Sequence, residues 1–81
     1  MPKEVLLSNI GLLHTTKMGI ERIKKNLNID NYDPVLYCKN FILDKKCNIS
    51  KRGKNYYCEL NNIIITINSS SYTIITAHKI N

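Results

Sequence analysis

The spacing of apolar residues predicts two helices in the first third of the chain. Within residues 3–13 and 17–27, apolar side chains recur every three or four positions, which is the period of a helix with one buried face. Thr15 or Thr16 can accept a hydrogen bond from a free backbone N–H of the second helix. The pattern therefore predicts a helix, a capped break and a second helix.

A third helix and then four strands are expected further along the chain. Asp33 followed by Pro34 is a start signal for a helix that extends to about Leu43. From Cys47 onward the apolar period falls to two, which is typical of strands. The predicted strands are residues 47–51, 55–60, 63–68 and 72–79.

This order of elements predicts the fold class. Strands joined by short turns form an antiparallel meander, and Asn61-Asn62 suits a tight hairpin because Asn tolerates positive φ. We expect an α+β fold in which two to three N-terminal helices pack on one face of a four-stranded antiparallel sheet. Residues 1–81 are expected to form a single domain. Residues 63–67 are apolar on both faces and predict a central strand.

The last strand carries polar residues into an otherwise apolar segment. Regular alternation predicts that Thr76 and His78 share one face. The predicted faces of this strand are Tyr72, Ile74, Thr76, His78 and Ile80 on one side, and Thr73, Ile75, Ala77 and Lys79 on the other. A histidine two residues from a threonine on a strand suits catalysis or RNA contact, and it also suits an ordinary strand end.

The charge balance favours a polyanionic partner. The chain has 12 Lys and Arg against 6 Asp and Glu, a net charge of +6. Basic side chains near phosphates release counterions, so this excess suits RNA. The same excess also serves solubility alone.

The cysteines and the N-terminal residues bear on the cellular compartment. Three cysteines without a CxxC pair argue against a disulfide framework and against a zinc site. The first residues lack the pattern of a signal peptide, and no apolar run approaches the ~20 residues that span a bilayer. We expect a cytoplasmic protein with reduced thiols, no metal, no cofactor and no membrane association.

The candidate chemistry is metal-independent. The sequence contains no phosphate-binding loop, no HExxH, no GxSxG and too few acidic residues for a two-carboxylate site. A basic, hydroxyl-rich set of residues remains, and Tyr56, Tyr57, Tyr72 and Thr73 belong to it. RNA cleavage without a metal needs an acid, a base and cations for the phosphorane. His78 is the candidate acid or base, with His14 as a possible partner and Thr76 orienting the phosphate. The candidate phosphate-binding residues are Arg22, Lys25, Lys51, Arg52, Lys54 and Lys79.

Four stretches carry a resemblance to a known family. They read LHTTKMGIERIKKNL, CKNFILDKKC, GKNYYCELNNIIITIN and SYTIITAHKI, and the resemblance that they carry extends over nearly the whole chain. The chain resembles domain-of-unknown-function family 3781, a family of small bacterial proteins. That family name implies no activity.

A second resemblance is to the Barnase–EndoU–ColicinE5/D–RelE ribonucleases. The order that carries it is Gly53, the aromatic pair Tyr56-Tyr57, an apolar strand and then Thr76-Ala77-His78. This resemblance implies helices before a four-stranded sheet and a residue from a helix acting with residues of the last strand. His14, Arg22 and Lys25 match that helical placement loosely.

We therefore expect a small RNA-interacting protein similar to a metal-independent endoribonuclease of toxin type. The alternative is a non-catalytic regulator that binds nucleic acid or protein, such as a phage-derived inhibitor. A third class is a structural oligomer whose strands complete a sheet across a dimer. The partner is RNA, another polyanion or a protein, and the chain is a monomer or a homodimer.

Overall fold

Helices precede strands along the chain, as predicted. The computed structural model describes residues 2–80. Its elements are α1 (Pro2–Ser8), a 3-10 turn (Ile10–Leu12), α2 (Lys17–Leu27), α3 (Pro34–Leu43), β1 (Asn48–Arg52), β2 (Asn55–Leu60), β3 (Ile63–Asn68) and β4 (Ile74–Lys79). The predicted α+β class is confirmed. None of the helices in residues 2–80 is long and apolar enough to cross a membrane.

The predicted single helix over residues 3–13 is wrong, because the segment breaks at Ser8. The Ser8 hydroxyl donates to the carbonyl of Glu4 at 2.8 Å, and the Asn9 amide side chain donates to the carbonyl of Val5 at 2.9 Å. Such side chains compete for helical carbonyls and favour helix ends. The chain then makes a short 3-10 turn before α2.

The two longer helices begin where their capping residues place them. Thr16 accepts from the Gly19 amide at 3.0 Å, which caps α2. Asp33 Oδ1 accepts from the amides of Val35 and Leu36 at 3.0 and 3.2 Å, which caps α3 beside the proline at its first turn. The predicted boundaries of both helices are confirmed.

The four strands form an antiparallel meander in the order β1-β2-β3-β4. Gly53 has φ 59° in the β1–β2 loop, a backbone conformation that glycine adopts without strain. Asn61 and Asn62 have φ 52° and 63° in the β2–β3 loop, the pattern of a type I′ hairpin. β3 lies between β2 and β4 and is therefore a central strand, as its apolar sequence predicted.

One face of the sheet packs against the helices. Along the central strands, Tyr56 pairs with Ile67 and Cys58 pairs with Ile65, and all four side chains are buried. They form one core with helical and loop residues that include Leu6, Leu13, Ile23, Leu27, Phe41 and Ile42. The opposite face of the sheet therefore points away from the helices.

β4 departs from the regular alternation predicted for it. A register shift at Thr66/Ile67 places Thr76 opposite Thr66 but Ile74 opposite Ile67, so Ile75 is an extra residue. Ile74 and Ala77 are consequently both buried, although strict alternation put them on different faces. His78 pairs with Ile64 and lies with Thr76 on the face away from the helices. Thr76 and His78 therefore share one face, as predicted.

The free edge of β4 is covered by the segment that leads into α2 and by α2 itself. His14 forms a parallel bridge with Thr73, and its carbonyl accepts from the Ile74 amide at 2.8 Å. The Thr15 hydroxyl donates to the Ile74 carbonyl at 3.1 Å, and the Asn26 amide side chain donates to the Ala77 carbonyl at 3.1 Å. α2 therefore runs alongside β4, starting near residue 73 and ending near residue 77.

Candidate functional site

Two turns meet at one end of the sheet. The Ser69 amide donates to the Lys54 carbonyl at 2.7 Å, which joins the β1–β2 loop to the β3–β4 turn. We call His14, residues 51–54 and residues 68–73 the serine end. The asparagine end is the opposite end of the sheet, with the Asn61-Asn62 turn, His78 and Lys79.

Asn68 organises the turn of the serine end. Its Oδ1 accepts from the amides of Ser70 and Ser71, both at 2.9 Å. Its backbone carbonyl accepts from the Tyr72 backbone amide at 2.9 Å, and its backbone N–H donates to the Thr73 carbonyl at 3.0 Å. These bonds fix the direction in which the side chains of the turn leave the backbone.

Tyr72 holds a strained backbone conformation inside this turn. Its φ of 58° lies in the left-handed region, which is uncommon for a bulky residue. The ring packs against Tyr56 with centroids 6.4 Å apart, and the Tyr72 carbonyl accepts from the His14 amide at 3.2 Å. Burial, followed by the neighbouring Tyr72, raises the pKa of Tyr56. Such strain persists where surrounding contacts hold it, and it clusters at functional sites.

The imidazole of His14 is oriented from both sides. Nδ1 lies 2.8 Å from the Leu12 carbonyl, which only accepts hydrogen bonds, so we assign the proton of the neutral ring to Nδ1. Nε2 then carries a lone pair and accepts from the Thr73 hydroxyl at 3.1 Å. Thr73 Oγ1 is 2.8 Å from the Ser71 hydroxyl, which in turn lies 3.3 Å from Asn68 Oδ1. This arrangement places a proton acceptor in an exposed row of hydroxyl groups.

The cations of the serine end are exposed and have no carboxylate within either turn. Lys51, Arg52 and Lys54 all lie on the surface, and residues 51–54 and 68–73 contain no Asp or Glu. The Arg52 guanidinium lies 5.0 Å from the centroid of the Tyr57 ring, a cation–π contact. The local charge is therefore positive.

The structure does not bring His14 and His78 together. His14 bridges Thr73, and His78 follows five residues later on the same strand. At the usual rise of a strand this is roughly 16 Å, too far for both rings to reach one phosphate. Thr76 lies between them opposite Thr66. Roles for His78 and Thr76 stay predictions, but a shared reaction centre with His14 has no geometric support.

The remaining predicted cations are distributed along the molecule. Arg22 and Lys25 are exposed on α2, and Lys25 precedes Asn26, which contacts β4 near the asparagine end. Lys79 pairs with Ile63, so it lies at the asparagine end on the opposite face from His78. Of the six predicted phosphate-binding residues, Lys51, Arg52 and Lys54 share an end of the sheet with His14.

Sequence reasoning did not single out Asn68 and Ser71, and it did not pair Thr73 with His14. An Asn followed by three serines is a signal for a turn in which the Asn side chain binds backbone amides. That signal was present in the sequence. The contact between His14 and Thr73 joins residues 59 positions apart, so no local pattern could reveal it.

The three cysteines are free, and they belong to the core. Burial raises the pKa of Cys38 to about 12. A hydrogen bond with Cys47 and then burial raise the pKa of Cys58, and the same bond lowers the pKa of Cys47. Within residues 2–80 no group of three His, Cys, Asp or Glu side chains could hold a metal ion.

Comparison with known proteins identifies the family. No curated protein and no solved structure is detectably similar to the chain. A family model described as "Protein of unknown function (DUF3781)" matches residues 7–78, which is most of the sequence and includes both ends of the sheet. The chain therefore belongs to the DUF3781 family.

Proposed function

We propose that this protein binds RNA and that the serine end holds the phosphate backbone. The observation that carries the proposal is the hydrogen bond between Ser69 and Lys54, because it places the basic β1–β2 loop against the turn that orients His14. Three exposed cations, several hydroxyl groups and no carboxylate then lie within two adjoining turns. Cations supply affinity for phosphates, and hydroxyl groups add hydrogen bonds.

The outer face of the sheet extends this surface. Ser50, Tyr57, Thr66 and Thr76 lie opposite one another across the four strands, on the face away from the helices. Thr66 is covered, whereas Ser50 and Thr76 are exposed and Tyr57 is half-buried beneath Arg52. A stacked Arg–Tyr pair beside hydroxyl groups suits the bases and riboses of a single strand.

The binding test uses single-stranded RNA with a fluorescent label, measured by anisotropy at several salt concentrations. The triple variant Lys51→Ala, Arg52→Ala and Lys54→Ala is expected to weaken binding by about tenfold or more and to lower the salt slope by about 2. Its matched control is Lys25→Ala, Lys45→Ala and Lys79→Ala, which removes the same charge elsewhere. The control is expected to weaken binding less.

Two outcomes would contradict the binding proposal. Equal losses in the two triple variants would mean that net charge alone drives binding. An absence of RNA binding by the unmodified protein would favour the protein-binding regulator instead.

A second candidate function is metal-independent RNA cleavage at the same end. The observation that favours it is the position of His14 Nε2, which lies 3.1 Å from the Thr73 hydroxyl oxygen. In such a reaction Nε2 takes the proton of the ribose 2′-OH, the 2′-oxygen bonds to phosphorus, and the bond from phosphorus to the 5′-oxygen breaks. A lysine or water protonates the departing oxygen. His14 then acts without His78.

Cleavage is tested in the presence of a chelator, with binding measured in parallel. His14→Ala is expected to abolish cleavage and to retain most of the binding, because the cations remain. His78→Ala is the matched control and is expected to cleave as the unmodified protein does. Cleavage by His14→Ala at the normal rate, or no cleavage by the unmodified protein, would rule out this second function and leave the binding proposal standing.

A further inference from the structure

A cleft lies at the asparagine end, away from the surface proposed for RNA. Its volume is about 330 Å³, at the lower end of the range for small-molecule sites. One wall is formed by α3 and the loop before it, with Tyr32, Asp33, Leu36, Tyr37, Asn40 and Phe41. The other wall is the β2–β3 hairpin, with Leu60, Asn61 and Ile63.

The walls of the cleft suit a flat apolar body. The rings of Tyr32 and Tyr37 lie 6.2 Å apart with their planes inclined by 53°. Tyr32 is 62% exposed and Leu36 is 55% exposed, which is a large apolar surface to leave in water at one site. Aromatic and aliphatic walls of this kind bind aromatic rings through burial and edge-to-face contact.

The charge of the cleft indicates which charge the ligand carries. Although the chain has a net charge of +6, no Lys or Arg among residues 2–80 lines the cleft, and Asp33 is the one charged side chain that those residues contribute to it. Two backbone amides of α3 hold Asp33 Oδ1 in place, and both of these bonds use that oxygen, so Oδ2 remains for a ligand. A positive group is favoured by this carboxylate and by tyrosine faces.

We propose that this cleft is a binding site for a small aromatic amine. The ring of the ligand lies between the tyrosines and Leu36, and its ammonium group donates to Asp33. The negative charge of the cleft disfavours phosphates, so the site is separate from the proposed RNA surface. This inference stands independently of the RNA proposal.

The test is a titration of the ¹⁵N-labelled full chain followed by amide chemical shifts. The probes are 2-phenylethylamine, neutral 2-phenylethanol and anionic phenylacetate, which share a ring and nearly the same length. The amine is expected to bind most tightly and phenylacetate most weakly. The shifts are expected at residues 32–41 and 60–63.

Two variants change the charge of the cleft, and a third changes the charge elsewhere as a control. Asp33→Asn keeps a residue that caps helices well, and it is expected to weaken amine binding by about two- to fivefold while leaving the alcohol unchanged. Asp44→Asn is the matched control, because Asp44 also accepts a backbone amide but lies outside the cleft. Leu36→Lys, at an exposed helix position, is expected to reverse the order of amine and carboxylate.

Several results would overturn the proposal. These are shifts outside the cleft, equal binding of the amine and phenylacetate, and equal effects of Asp33→Asn and Asp44→Asn. Tighter binding of guanosine than of the amine would assign the cleft to a nucleobase instead. Loss of the cleft signals on dilution of the protein alone would assign it to a second copy of the chain.

Discussion

The chain reverses direction at both ends of the sheet, but different residues hold the two turns. At the asparagine end, Asn61 and Asn62 hold positive φ, and Asn tolerates that conformation. At the serine end the positive φ falls on Tyr72, a residue poorly suited to it. The second turn persists because Asn68 and His14 bind its backbone. The strained end of the sheet is thus also the end with the oriented histidine and the basic loop.

The greatest change in stability should come from the core that both ends share, and it provides a reference for both ends. The folded Cys38 thiol has a pKa of about 12, above the ordinary 9.0, so between these values the unfolded chain loses a proton that the folded chain keeps. The free energy of unfolding should therefore be highest below pH 9 and fall as pH rises, by at most about 1.4 kcal/mol per pH unit from this thiol. Urea unfolding at pH 8 to 11 measures the slope.

Cys38→Ala should show a shallower decline over the same pH range. An equal slope in the variant would mean that other groups account for the alkaline loss. Amide exchange at the two ends should accelerate together, since both depend on the core.

The next prediction compares the free energy of unfolding after substitution of Gly19 and of Gly11. A methyl group on Gly19 would clash with Thr15 Oγ1, which donates to the Ile74 carbonyl beside the serine end. Gly19→Ala should lower the free energy of unfolding by about 1–3 kcal/mol, because overpacking outweighs the helical preference for Ala. Gly11→Ala is the matched control, since no atom of residues 2–80 outside its immediate neighbours lies within 4 Å of the added carbon. Chemical denaturation of both variants checks this, and equal stabilities would contradict the predicted clash.

Asn68 tests whether side-chain acceptors hold the strained turn. Asn68→Ala removes the acceptor for the amides of Ser70 and Ser71 and should cost about 1 kcal/mol. Asn68→Asp keeps an oxygen in the same position and should retain most of the stability. Thermal unfolding compares the two, and a loss of the same size in both would assign the effect to something other than the acceptor.

The smallest change in the free energy of unfolding is expected for substitutions of the two histidines. His14→Ala removes side-chain contacts with Leu12 and Thr73, so it should lower the free energy of unfolding by about 1 kcal/mol. His78 is exposed at the asparagine end, and His78→Ala should stay within about 0.5 kcal/mol of the unmodified protein. Urea unfolding at neutral pH measures both. A larger loss for His78→Ala would reverse the proposed ranking of the ends.

Sequence reasoning predicts the elements better than it predicts the site. Capping residues and Asn61-Asn62 act within a few positions, and α2, α3, β2 and β3 have their predicted boundaries. The bulge in β4 depends on the pairing of this strand with β3. The early end of α1 depends on side-chain hydrogen bonds, which a periodic pattern of apolar residues does not represent. Likewise, the pairing of His14 with Thr73 arises only when α2 lies along β4. Long-range packing therefore decides which polar residues meet.

The cover over β4 also bears on aggregation. Thr15 and Asn26 occupy edge carbonyls that another strand would otherwise use, and they belong to the segment formed by α2 and the residues before it. Displacing that segment by proteolysis or partial unfolding would leave the apolar strand of Ile74, Ile75 and Ala77 free to pair with another molecule. β1, at the other edge, carries Lys51 and Arg52, whose charges oppose such pairing. The segment from His14 through α2 thus also blocks strand addition at this edge of the folded sheet.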